Sequence, residues 1–262
     1  MIRALYTAAS GMNAQQTNID TVAHNLANVN TAGFKKSHVQ FEDLVYQEVR
    51  TPGAASSSVG EAPIGLEIGL GTRPVGTSRN FSAGNLRSTG GDLDLAIEGD
   101  GFFQITTPQG TTAYTRTGAF HRDAQGQMVT ADGYSMEPQI SIPANATTVT
   151  ISKDGVVSAQ IAGQTATQQL GTIEIATFQN PAGLRPLGGN LFEVTSASGD
   201  AQTGAPGLDG KGIVQQGFIE DSNVSVVEEM VNMILGQRAY EANSKVVRTA
   251  DEMLQQTNNL GR

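Results

Sequence analysis

The sequence contains no cysteine and no tryptophan. Lack of cysteine excludes disulfides, thiol nucleophiles and thiolate metal sites, and leaves three histidines as the strongest possible metal ligands. Charge is scarce too, at 16% of residues against a usual quarter or so, and its balance is acidic, −9. A nucleic-acid binder needs a basic footprint, so that class is set aside. No apolar run approaches the roughly 20 residues of a membrane-spanning helix, so no membrane insertion is expected. The opening stretch, M-I-R-A-L-Y-T-A-A-S, meets Asn and Gln too early for a signal-peptide core. Export, if it occurs, is expected to use another route.

Neutral polar side chains fill the gap: Thr, Ser, Gln and Asn make up 78 of 262 residues. Glycine and proline are unevenly placed. All nine prolines lie between Pro52 and Pro206, and 28 of the 31 glycines between Gly33 and Gly217. The ends are thus free to be long helices, and the middle is punctuated like a β domain.

At the N-terminus Leu5, Met12, Ile19 and Leu26 recur every seven residues, each followed three positions later by Ala8, Gln15, Val22 or Val29. This is a coiled-coil seam. Gly33 suits the left-handed position that ends such a helix, with Phe34 folding back over Val29. At the C-terminus Ser225 and Glu228 form a capping box opening a proline-free run of about 35 residues. Val226, Met233, Tyr240, Val247 and Leu254 repeat at seven, with Ala239, Val246, Met253 and Leu260 as a second row. Gly236 weakens the run by about 1 kcal/mol relative to Ala, a cost that close helix approach explains. Two seams from opposite ends predict that the helices pair.

The middle reads as short strands between turns. Leu93, Leu95 and Ile97 alternate, followed by Phe103 and Ile105; Ile173-Glu-Ile175, Leu191–Val194 and Ile213-Val214 are further candidates. Asp123–Gly126, Asp132-Gly133 and Asp154-Gly155 are hairpin-type turns. Residues 47–76 are predicted as an irregular excursion or an extended hairpin. The expected fold is therefore α+β. Its long N- and C-terminal helices pair as a coiled coil (residues 1–33 plus 222–262). A linker and extended segment (34–76) leads to a mainly antiparallel β domain (77–221).

No catalytic constellation emerges. His24, His38 and His121 lie in unlike contexts. Asp92-Leu-Asp94 opens like a calcium loop but has Ile97 and Phe103 where Gly and Glu are needed. Gly99-Asp-Gly101 and Gly69-Leu-Gly71 lack the third glycine and the βαβ setting of a nucleotide site. Neither a cofactor nor enzymatic activity is expected.

The terminal helices carry the more telling signal. Positions flanking the first seam hold Asn13, Gln16, Thr17, Asn18, Thr21 and Asn25, where a coiled coil facing water carries Glu and Lys. Amides can bond across an interface without the desolvation cost of charge. This composition fits a helix surrounded by copies of itself and ordered by assembly. An ordinary helix packed on its own domain is the plainer alternative.

Residues 23–35, A-H-N-L-A-N-V-N-T-A-G-F-K, resemble the N-terminal signature of the flagellar rod and hook family. Residues 222–254 resemble its C-terminal signature, and D-L-A-I-E-G-D-G-F-F-Q-I at 94–105 and Y-T-R-T-G-A-F at 114–120 resemble its middle. His24 stands where the family often has Asn. The stretch from Arg50 through Pro63 to Val75 is similar to a segment that only part of the family carries, and the length suits a rod member better than a hook member.

The resemblance implies a helical homopolymer: a hollow rod running from the periplasm to the outer membrane, built from subunits passed unfolded through the flagellar type III export apparatus. It implies proximal rod proteins, the hook protein and the P- and L-ring proteins as partners. Subunit assembly is then expected to rest on the seam residues Leu5, Met12, Ile19, Leu26, Met233, Tyr240, Val247 and Leu254. The signature residues Asn25, Asn28, Thr31, Gly33, Phe34, Gln237, Arg238 and Asn243 join them. The nearly uncharged first helix would suit a channel wall. From the residues alone, a carbohydrate-binding or adhesive β protein stays open as a reading of another class.

If neighbours complete the ends, amide exchange in a dilute monomer should find residues 1–30 unprotected, with protection gained on assembly. Full protection at dilution contradicts this.

Overall fold

The computed structural model describes residues 2–51, 55–57, 60–61, 64–163 and 166–260. Contacts divide the chain into two units: Met1–Leu26, Ser37–Ser78 and Ser225–Arg262 form one, and Ala27–Lys36 with Arg79–Val224 the other. The boundary differs from the sequence expectation. Residues 27–36 group with the β unit, while the segment from Ser37 onward groups with the helices instead of standing as a separate linker.

The first unit contains two helices, α1 (Ile2–Ala27) and α2 (Val226–Leu260). The extended segment is a long two-stranded ribbon, the hairpin form of the expectation. Ser37–Asp43 pairs with Thr72–Arg79, Tyr46–Arg50 with Leu66–Gly69, and Ala55–Ser57 with Gly60–Glu61. Residues 52–54, 58–59 and 62–63 of that segment lie outside the described residues. The base of the ribbon sits against α1, where Thr72 N donates to Ser10 Oγ at 3.4 Å.

The second unit is almost wholly antiparallel. Phe102–Thr106 lies at the heart of a nine-stranded sheet, hydrogen-bonded to Thr112–Thr115, Ser135–Glu137 and Ile175–Thr177. Side chains alternate across a strand, so Phe103 and Ile105 enter a core with Leu95, Ile97, Phe120, Met128 and Met136. Phe102 points the other way, into a second core with Tyr114, Phe178, Leu184 and Phe192. Burial on both faces explains why the neighbouring Phe102 and Phe103 are both large and apolar. The three Asp/Gly turns form as expected, with Gly126, Gly133 and Gly155 at positive φ. The candidate strand at Ile173–Ile175 splits: Thr167–Thr172 ends before it and Ile175–Thr177 begins at its last residue. Ile173 instead caps a turn, its N–H donating to Gly155 O at 2.8 Å.

A buried ionic cluster joins distant parts of this unit. Glu220 Oε1 accepts from Lys35 Nζ at 2.6 Å and Oε2 from Arg116 Nε at 2.9 Å, and neither Lys35 nor Glu220 exposes any side-chain surface. Lys35 also donates to Ser82 O, Glu220 accepts from Gly84 N, and Arg116 donates to Gly99 O and Gly101 O. One carboxylate thus serves two cations. Burial pushes the Glu220 carboxyl up, but Arg116 and Lys35 together outweigh it and hold it below the usual 4.5. Burial, with Arg116 in support, outweighs Glu220 at Lys35 and draws its ammonium below 10.5.

The signs follow. A depressed carboxyl contributes stability above its unfolded value and loses it as pH falls through the folded one. The lowered ammonium binds its proton more weakly folded than unfolded, so stability climbs again as pH rises toward 10.5. Urea unfolding followed by tyrosine fluorescence should therefore weaken as pH drops below about 4.5. Glu220→Gln should remove much of that dependence and, by stranding two buried cations, cost about 3–5 kcal/mol at neutral pH.

Candidate assembly surface

Neither helix contains proline, and each has one interior glycine. α2 opens as expected: Ser225 Oγ accepts from Glu228 N at 3.5 Å, Ser225 O from Glu229 N at 3.0 Å, and the two acids of the first turn complement the helix dipole. The helices contact each other and run antiparallel, since Gly11 lies beside Asn243 while Asn25 reaches Glu229.

On α1 the predicted seam holds as far as Leu26, while Val29 lies beyond the helix end at Ala27. Ala8 and Val22 are buried, and Leu5, Met12, Ile19 and Leu26 are half-buried beside them. On α2, Met233, Val247 and Leu254 are half-buried and Tyr240 lies more open at the edge. The second α2 row differs from the expected one. Val246 and Met253 are exposed, and the side chain of Leu260 lies outside the described residues. The inward row is Glu229, Gly236, Asn243 and Ala250. Small and polar residues there carry no hydropathy signal, so an apolar pattern pointed one turn aside. Gly236 is needed for close approach: a Cβ there would meet Ile19 Cγ1 at 3.0 Å.

The far side of α2 is unexpectedly apolar. Val227, Met230, Val231, Ile234 and Leu235 are all at least half exposed. Their spacing of three and four residues draws one ridge opposite the seam. The outer face of α1, by contrast, shows Asn13, Gln16, Asp20 and His24, with Tyr6 as its one large exposed apolar group among the described residues.

The N-terminal signature residues are engaged inside the chain. Asn25 is buried, donating through Nδ2 to Ser37 O at 2.8 Å and accepting at Oδ1 from Ser37 N at 2.9 Å. Asn28 accepts from the Thr31 backbone and hydroxyl, forming a turn. Gly33 adopts φ +69°, but α1 has ended at Ala27, so it does not cap the helix through a fold-back of Phe34 over Val29. It donates instead to Glu220 O at 2.8 Å, and a Cβ would stand 2.7 Å from Thr117 N. Loop backbone at Arg116 and Thr117, approaching too closely for any side chain, is the reason for glycine here. Phe34 is buried, and its carbonyl accepts from Asn223 N. Within the chain these residues set its path. Gln237 and Arg238 are exposed on α2, Arg238 paired with Glu241 at 3.0 Å.

Among the described residues no group of three or more His, Asp or Glu is placed to hold a metal. A cleft of about 340 Å³ in the β unit is walled by Phe81, Phe102, Phe178 and Arg116. The Arg116 guanidinium there is already committed to Glu220 and three carbonyls. Among the described residues no helix is long and apolar enough to cross a membrane.

Three family descriptions match: flagella basal body rod protein over residues 5–35, flagellar hook protein FlgE/F/G D1 domain over 96–159, and flagellar basal body rod FlgEFG protein C-terminal over 215–260. Flagellar basal-body rod protein FlgG of Buchnera aphidicola is 48% identical over 99% of this chain and 100% of its own. The FlgG proteins of Borreliella burgdorferi and Bacillus subtilis are 49% and 43% identical, each over 100% of both chains. A Helicobacter pylori flagellar hook protein FlgE2 structure matches at 14% identity and a TM-score of 0.25 over 71% of this chain and 43% of its own, which carries no argument. With such identity from end to end, this chain belongs to the FlgG family of flagellar basal-body rod proteins.

Proposed function

We propose that this protein is a structural subunit of the distal rod, polymerising with copies of itself into the rigid hollow shaft that turns the hook. The α2 ridge carries the reading. Five large apolar side chains on one helix face, at least half exposed, form a patch that calls for a partner. In a homopolymer each copy supplies that partner. The polar first helix complements it, since its outer amides can meet water or a neighbouring copy at little desolvation cost.

The seam residues Leu5, Met12, Ile19, Leu26, Met233, Val247 and Leu254 then act by holding the helix pair that displays the ridge. Proximal rod proteins, the hook protein and the P- and L-ring proteins are the proposed neighbours, with delivery by the flagellar export apparatus and residence between periplasm and outer membrane. Similarity along the whole chain favours this over an adhesive β protein, which would not need both helices.

The ribbon is proposed to stiffen the shaft. Val49, Ile64, Leu66 and Ile68 are exposed along it, and Glu48 stands directly across from Glu67. Like charges paired across strands destabilise an isolated ribbon, and cations from a neighbouring copy would relieve them.

Val231→Asp combined with Leu235→Asp should leave the circular dichroism of the monomer unchanged. The concentration at which tubes form should rise by about tenfold or more, as expected for charge placed in an apolar contact. Unchanged assembly by sedimentation and electron microscopy refutes the ridge as an interface. Tyr46 pairs with Gly69, so residues 47–68 can be replaced by a short turn. Tubes of that variant should be curved or flexible in micrographs; straight ones dispose of the stiffening role.

A further inference from the structure

The contacts between the helices fall into a numerical series. Gly11 faces Asn243, with a Cβ on the glycine standing 2.8 Å from Asn243 Nδ2. Gly236 faces Ile19 and Asn18, the latter at 3.8 Å from its would-be Cβ. Asn25 Nδ2 donates to Glu229 Oε2 at 3.4 Å in a buried contact. Ala4 and Ala250 line one cleft of about 370 Å³. The pairs Ala4–Ala250, Gly11–Asn243, Asn18–Gly236 and Asn25–Glu229 add to 254 and step by seven residues on both helices. The pairs are Ala with Ala, Gly with Asn, Asn with Gly, and Asn with Glu.

We infer that these layers are the register code of the terminal helices: two reciprocal glycine–asparagine pairs and one asparagine–glutamate bond that together admit a single alignment. The inference rests on the assembly reading above, because a register matters most for ends that order only when they meet their partners.

The apolar layers cannot select the register. Between these layers the seam residues come within one residue of the same level, Val22 with Met233, Gln15 with Tyr240 and Ala8 with Val247, as Ile19 does with Gly236. A slip of one heptad, about 10 Å, moves Val22 to Tyr240 or Val226 and Ala8 to Leu254 or Tyr240. Apolar groups still meet apolar groups. The small and polar layers behave differently. Slipped one way, Asn18 stands against Asn243 and Glu229 passes beyond the end of α1, losing its amide. Slipped the other way, Gly11 meets Gly236 and leaves a hole, and Asn25 falls opposite residue 222, before α2 begins. Overpacking, a void and a stranded buried carboxylate each disfavour the wrong alignment. A buried polar pair that fixes register at some expense of stability is a known coiled-coil device.

The absence of cysteine makes the test direct. In the full chain, Ala4→Cys with Ala250→Cys reports the observed register by intramolecular disulfide formation. Ala4→Cys with Thr257→Cys reports the slip. Both are read by gel mobility in assembled or concentrated protein. Asn243→Gly creates a hole opposite Gly11 but, in the slipped alignment, a glycine opposite Asn18. It should therefore shift the 4–250 to 4–257 cross-link ratio by about tenfold toward the slip.

Gly11→Asn should lower the 4–250 yield, and the exchange Gly11→Asn with Asn243→Gly, which restores one glycine per layer, should recover the parent ratio. Single variants that keep the parent ratio, or an exchange no better than the singles, overturn the code. If the unsubstituted chain never forms tubes at any concentration, the rod reading fails, while the cross-link ratio in concentrated protein still judges the register.

Discussion

An antiparallel pair of helices buries one stripe on each, and here that stripe is narrow. Gly11, Asn18, Gly236, Asn243 and Ala250 let the backbones approach closely but supply little apolar surface. Val227, Met230, Val231, Ile234 and Leu235 lie on the opposite face of α2 and have no place within the pair. The same geometry that joins the two ends of the chain thus leaves a ridge for other molecules. In the proposed assembly, the way the seam is filled decides which surface is left to join copies.

The β unit follows the opposite rule. Its central strand is buried on both faces, its aromatic rings meet edge to face, and its cationic side chains Lys35 and Arg116 are drawn inside to one carboxylate. A shared Glu220 with three hydrogen-bonded partners tolerates little displacement, since any loosening strands charge in a poor dielectric. Rigidity within the β unit and unsatisfied apolar surface on the helices are complementary features of this basal-body rod protein.

Much of this was legible in residue patterns. Where a side chain's character and its burial agree, as at Leu95, Phe103, Ala8 and Val22, periodicity located the core. Asp/Gly pairs located hairpins because only a few residues accept the required backbone angles. Reading failed where burial and hydropathy part company. Asn243 and Gly236 face inward, Val246 and Met253 outward, so an apolar count picked the wrong second row on α2. Gly33 was rightly read as left-handed but assigned to a helix cap, because its cause, the backbone of Thr117, lies 84 positions away.

By itself the order of amino acids determined the helical ends, the β-rich middle, the turns and the family, all of which depend on local periodicity or on long contiguous motifs. Only the tertiary structure decided that Glu220 answers both Lys35 and Arg116, that Gly11 meets Asn243, and that one flank of α2 stays bare. Those facts depend on which distant residues are brought level. Spacing along a chain carries no information about level until the helices have met.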